Sequence, residues 1–228
     1  MFTRFLKEVT IKKFNLNRLN QPSHYSRAFS INTRFLKACS VCGNEIDQKL
    51  ICPFKDCGSI QPPPYSINYF EFFELNPSYK IDPQSLRLKF FDIQRKTHPD
   101  NFYSKTNAGS SEDLSSWVNK AYETLKNPLS RAIYLLELNQ VYIGESMELR
   151  DQSILLEIME LNEAIEDAQN ADALHKIIIE VKVKLRDLEN QIASEFDNKN
   201  YKEAQRLVIN FKYFQNTLLS AQKRQEII

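Results

Sequence analysis

All four cysteines of this chain lie between positions 39 and 57, spaced Cys39-x2-Cys42-x9-Cys52-x4-Cys57. Cys42 and Cys57 are each followed by glycine, which lets the backbone turn and aim amide N–H groups at thiolate sulfur. Two such turns can present four sulfurs tetrahedrally, the arrangement that Zn2+ accepts in structural sites. The spacing therefore predicts one structural Zn2+ held by Cys39, Cys42, Cys52 and Cys57. Four thiolates leave no open position for a substrate, which disfavours a catalytic zinc. Two disulfides are the competing arrangement, and a reducing compartment works against them. The residues between the cysteines carry too few apolar side chains to fold alone, so metal binding would supply their folding energy.

His98-Pro99-Asp100 is the second constellation with chemistry in it. His98 offers a donor, Asp100 a charged acceptor, and Pro99 fixes the backbone between them. The chain has only two other histidines, His24 and His175, and neither belongs to a catalytic cluster. The tripeptide thus reads as a contact device, and the chain as a protein that is not an enzyme.

The elements around it fix its setting. Asp82 and Pro83 predict the start of a helix over Pro83–Thr97 that Pro99 stops. Leu86, Phe90 and Ile93 share one face of it, while Arg87, Arg95 and Lys96 lie elsewhere and can steer an acidic partner surface. Asp92 is an acid amid that basic face and weakens the encounter. A second amphipathic helix is predicted over Glu112–Lys126, with Leu114, Trp117, Val118, Ala121, Tyr122 and Leu125 as its stripe. Asn68–Leu75 reads as a short aromatic helix, and Asn127-Pro128 caps a further one through Leu138.

From Asp151 onward there is no proline or glycine. Three stripes follow: Ile154, Ile158, Leu161 and Ile165; then Leu174, Ile178, Val181, Leu185, Leu188 and Ile192; then Leu207, Phe211, Phe214 and Leu218. They predict a three-helix bundle. Leu155, Leu156 and Met159 point about 60° to 160° away from Ile158, on a face shared with Glu160, Glu163, Glu166 and Asp167. Tyr213 lies about 200° from Phe211. Large apolar residues ringed by acids read as a binding patch, with packing against the preceding helices or scattered exposure as the alternatives.

Composition narrows the classes. The 228 residues are 42% hydrophobic, with 15 Phe and 10 Tyr, enough for a packed core. Only four glycines are present, which disfavours phosphate-binding glycine loops. No apolar run reaches the roughly 18 residues of a membrane span, so no membrane partner is expected. The net charge of +1 hides an asymmetry, because residues 1–29 hold six basic residues and one acid, leaving a body of 24 basic and 28 acidic residues, net −4. That balance argues against nucleic-acid binding. Met1–Ser30 is basic and acid-poor, with scattered apolar residues, as in a mitochondrial transit peptide cleaved after Phe29; a basic tail is the alternative. Pro62-Pro63-Pro64 reads as a stiff spacer.

The aromatic helix, basic helix, His98-Pro99-Asp100 loop and Asn119-Lys120-Ala121-Tyr122-Glu123-Thr124-Leu125 together resemble a J-domain. Its His-Pro-Asp loop stimulates ATP hydrolysis by DnaK-type chaperones. Residues 67–221, with a zinc module in front, are similar to the HscB family of mitochondrial iron–sulfur co-chaperones. The resemblance implies that His98, Pro99, Asp100, Arg87, Arg95 and Lys96 meet the chaperone. It also implies that Leu155, Leu156, Met159, Glu160, Glu163, Asp167 and Tyr213 hold the iron–sulfur scaffold protein, Asp167 being shorter than the carboxylate expected there.

The expected fold is mainly α: a J-domain hairpin and a C-terminal three-helix bundle behind a small four-cysteine zinc ribbon. The expected segments are a transit peptide (1–29), zinc module (30–61), proline linker (62–66), J-domain (67–140), linker (141–150) and scaffold-binding bundle (151–228). The expected location is the mitochondrial matrix, with the cytoplasm as a second site. A general J-protein for mitochondrial folding or import, or a zinc-ribbon adaptor, are the rival functions.

Overall fold

The computed structural model describes residues 38–46, 50–97, 108–144 and 151–227. The predicted transit segment 1–29, the His98-Pro99-Asp100 loop and residues 145–150 lie outside them. Seven helices occupy the described residues: α1 Tyr69–Phe72, α2 Pro83–Thr97, α3 Ala108–Lys126, α4 Pro128–Leu138, α5 Gln152–Asp167, α6 Ala171–Asp197 and α7 Tyr201–Gln225. The β-type pairing among these residues consists of two isolated bridges, Ala38 with Glu45 and Ile51 with Ile60.

Local chemistry sets the helix ends. The Asp82 carboxylate accepts from the Gln84 and Ser85 amides at 3.1 and 3.0 Å, which fixes the start of α2 at Pro83. Asn127 does the same for α4 through the Ser130 amide at 3.0 Å. α1 is shorter than Asn68–Leu75. Glu74 adopts φ 50° and the Leu75 amide donates back to the Phe70 carbonyl at 2.8 Å, a left-handed cap that closes the helix after one turn. α3 begins at Ala108, one turn ahead of the predicted Glu112, and that added turn, Ala108-Gly109-Ser110-Ser111, carries no apolar period by which the sequence would mark it.

α2 and α3 run antiparallel. Phe90 stacks on Tyr122 at 4.1 Å, and Gln94 donates to Asn119 at 3.0 Å one turn further along. Aromatic rings then lock α1 onto this pair: Tyr69 stacks on Tyr134 of α4 at 4.6 Å, and Phe72 meets Trp117 edge-on at 4.6 Å. The bundle stripes are buried as their periods predict, from Leu174 to Ile192 on α6 and from Leu207 to Phe214 on α7.

The hairpin and the bundle share one core. Buried residues run without a break from Ile60 and Phe70, through Leu125 and Leu136, to Ile158, Leu188 and Phe214. α4 packs directly against α7, and Tyr79 stacks on Phe196 of α6 at 5.9 Å. A smaller cluster of Ile165, Ala168, Leu174, Ile178 and Ala221 closes the far end of the bundle.

A shared core makes unfolding cooperative. Trp117, the single tryptophan, reports on the hairpin, whereas far-UV ellipticity is weighted toward the long bundle helices. Urea unfolding followed by both signals should give coincident transitions; separated midpoints would mean two independent cores. Phe214→Ala in α7, at a fully buried site, should move both midpoints together through a loss of about 3–5 kcal/mol.

Candidate functional site

Two tight turns build the thiol cluster. In the first, the Gly43 amide donates to the Cys39 carbonyl at 3.0 Å, with Gly43 at φ 73°, and the Val41 amide reaches Cys39 Sγ at 3.4 Å. In the second, the Cys57 and Gly58 amides both donate to the Phe54 carbonyl, at 3.0 and 2.9 Å, with Gly58 at φ 53°. Both glycines occupy the left-handed region their sequence positions predict. The four thiols are free.

Cys39 Sγ and Cys57 Sγ lie 3.7 Å apart, as do Cys42 Sγ and Cys52 Sγ, and all four sulfurs fall within 4.8 Å of one another. A tetrahedron with Zn–S bonds of about 2.3 Å has edges of about 3.8 Å. The cluster is compatible with one metal site. Burial works to raise the Cys39 thiol, but hydrogen bonds from the Cys42 backbone, Ser59, Val41 and Gln61 outweigh it and hold it at about 5. Cys52 is pushed up to about 12, chiefly by burial.

Ser59 and Gln61 were not among the residues expected at this cluster. Ser59 Oγ lies 3.1 Å from Cys39 Sγ and 3.2 Å from Cys57 Sγ, and Gln61 Nε2 donates to Cys39 Sγ at 3.2 Å. The signal available in the sequence is their spacing: Ser59 and Gln61 are two apart just beyond the Cys57-Gly58 turn, which puts them on one side of an extended stretch.

On α2, Arg87, Arg95 and Lys96 are all exposed, as a steering surface requires. Arg87 stands over the exposed Phe91 ring, 5.4 Å from its centre. Asp92 is engaged within the helix: Lys96 Nζ lies 2.6 Å and Arg95 3.8 Å from its carboxylate oxygens. The hydrogen bond from Lys96 holds the Asp92 carboxyl below its usual range. The acid that interrupts the basic face is therefore offset by its own neighbours. His98, Pro99 and Asp100, the remaining chaperone residues expected from sequence, lie outside the described residues.

On α5, Leu156 and Met159 are 59% and 58% exposed and Leu155 is 42% exposed, while Ile158 beside them is buried. Glu160, Glu163 and Asp167 are also exposed. Positions 156, 160, 163 and 167 advance by four, three and four, so they form one line along the outer side of α5. Tyr213 stands on α7, which packs against α5, and is half-buried with its ring against the main core. Among the described residues no helix is long and apolar enough to cross a membrane.

Comparison with known proteins gives these features a context. The family profile described as the HSCB C-terminal oligomerisation domain matches residues 150–222. The human iron–sulfur cluster co-chaperone protein HscB is 34% identical over 173 residues, covering 75% of this chain and 73% of that protein. The Arabidopsis thaliana homolog is 35% identical over 179 residues, covering 78% and 70%. The crystal structure of the human protein superposes with a TM-score of 0.77 at 31% identity, over 84% of this chain and 100% of that one. HscB from Vibrio cholerae gives 0.64 at 27% identity, over 71% and 99%. With a four-cysteine module ahead of a helical hairpin and a bundle whose profile match spans nearly its whole length, this chain belongs to the HscB family of iron–sulfur cluster co-chaperones.

Proposed function

We propose that this chain carries an iron–sulfur scaffold protein to a DnaK-type chaperone of the mitochondrial matrix, stimulates that chaperone's ATPase and so promotes cluster transfer. The exposed Leu155, Leu156 and Met159 carry this reading, because they sit side by side beside Glu160, Glu163 and Asp167 on a helix whose inner face is already buried. An apolar centre with an acidic rim fits a partner that is apolar at the contact and basic around it. Tyr213 extends the apolar surface from α7. The chaperone is met by His98, Pro99 and Asp100, with Arg87, Arg95 and Lys96 steering the encounter. Holding cargo and chaperone on one body with a shared core raises the effective concentration of one for the other. Residues 1–29 act as the matrix address. The four cysteines hold one structural zinc, whose thiolate ligands leave no position open for catalysis.

Three measurements bear on these roles. His98→Gln should abolish stimulation of the matrix chaperone's ATPase while leaving helix content and scaffold binding unchanged. Leu156→Ala combined with Met159→Ala and Tyr213→Ala should do the reverse, weakening scaffold affinity by about 100-fold or more. Scaffold capture that survives the triple change would sink the assignment of the patch. Elemental analysis of the purified protein should find about one zinc per chain, with the thiols reacting only after chelation; four reactive thiols and no metal would refute it.

A further inference from the structure

The stretch Ser59-Ile60-Gln61 faces two ways. Ser59 and Gln61 turn to the thiols, and Ile60 between them turns to the helical core, as the alternation of an extended chain requires. All three residues are 1% exposed. Gln61 engages both ends of its side-chain amide and its backbone N–H. Its Nε2 reaches Cys39 Sγ at 3.2 Å and Ser59 Oγ at 3.0 Å, its Oε1 accepts from the Ser40 amide at 2.9 Å, and its own amide donates to the Leu50 carbonyl at 2.8 Å. One side chain thus bolts the first cysteine turn to the extended segment that returns from the second. Ile60 belongs to the same core as Phe70, Trp117 and Leu136.

We infer that Ser59 and Gln61 are positioning residues of the metal site, and that Ile60 between them couples metal loading to the stability of the helical body. The inference rests on the zinc reading above. Groups that hydrogen-bond a metal ligand set its orientation and its basicity, and losing one typically weakens metal binding by 10- to 100-fold. Fixing Cys39 and Cys57 on a metal also fixes Ser59 and Gln61, and the intervening Ile60 cannot then leave its core site without disturbing the ligands. Binding restricted to the folded arrangement stabilises everything that unfolds with it. Metal status at one end of the chain is thereby felt at the hairpin that addresses the chaperone.

The test uses the full chain. Zinc affinity is measured by competition with a chromophoric chelator, and thermal unfolding is followed by Trp117 fluorescence with and without chelation. Ser59→Ala and Gln61→Leu should each weaken zinc binding by about 10-fold or more, and Ser59→Thr, which keeps the hydroxyl, should restore it. Chelation should lower the wild-type Trp117 midpoint by several degrees. Ile60→Ala should lower the midpoint of the loaded protein and abolish its response to chelation, while binding zinc nearly as well as wild type. Wild-type affinity in both Ser59→Ala and Gln61→Leu would overturn the positioning role. A Trp117 midpoint unmoved when the thiols become reactive would overturn the coupling. A wild-type chain that takes up no zinc at all would instead fell the metal reading, and the inference with it.

Discussion

Arg131 holds the junction on which the rest of the helical body depends. Its guanidinium donates to the Tyr79 carbonyl through Nε at 2.7 Å and to the Leu125 carbonyl through Nη1, and it stands 5.1 Å over the Tyr79 ring. Leu125 lies in the last turn of α3, where carbonyl groups lack helical partners, so the cation closes that helix end. Glu189 of α6 is close enough to favour the charge. Burial pushes Arg131 down and Glu189 up, and each partly offsets the other. A side chain on the first turns of α4 therefore ties together the loop before α2, the end of α3 and the bundle. Without it the part-buried Tyr79 and Leu125 carbonyl oxygens would lose this donor, which is costly where water is partly excluded.

That junction helps hold two exposed faces at fixed places on one body. α2 offers its cations from one side of the hairpin, and α5 offers its leucines from the bundle. Both are anchored through faces that belong to the same core. Exposed apolar surface of this size is a liability in water, and it is held in place because Ile158, Leu161 and Ile165 commit the opposite side of α5 to the interior.

Much of this was legible in the residues. Asp82-Pro83 and Asn127-Pro128 mark helix starts through chemistry that acts within four positions, and the stripes of α6 and α7 repeat often enough to fix their inner faces. The four thiols declare themselves by spacing. The shared core was not legible, because contacts such as Tyr79 with Phe196 join segments far apart in sequence and leave no local period. Tyr213 shows the limit of a helical wheel. α7 is enclosed by α4, α5 and α6, so its buried arc exceeds half a turn and takes in Asn210 and Thr217 as well as the side that carries Tyr213. Gln61 is hard to read for a related reason: its spacing from Ser59 says which side of an extended chain it takes, but a hydrogen bond to sulfur needs a neighbour in space that no local pattern names.

The four thiols are unequal to anything approaching from water. Cys39 and Cys52 are buried, with Ile46 packed beside them, Cys57 is half covered, and Cys42 alone is exposed. Alkylation and oxidation begin at the sulfur a reagent can touch. Damage to this module is therefore ordered in time: Cys42 is lost first, Cys57 follows, and the buried Cys39 and Cys52 are the last to be reached.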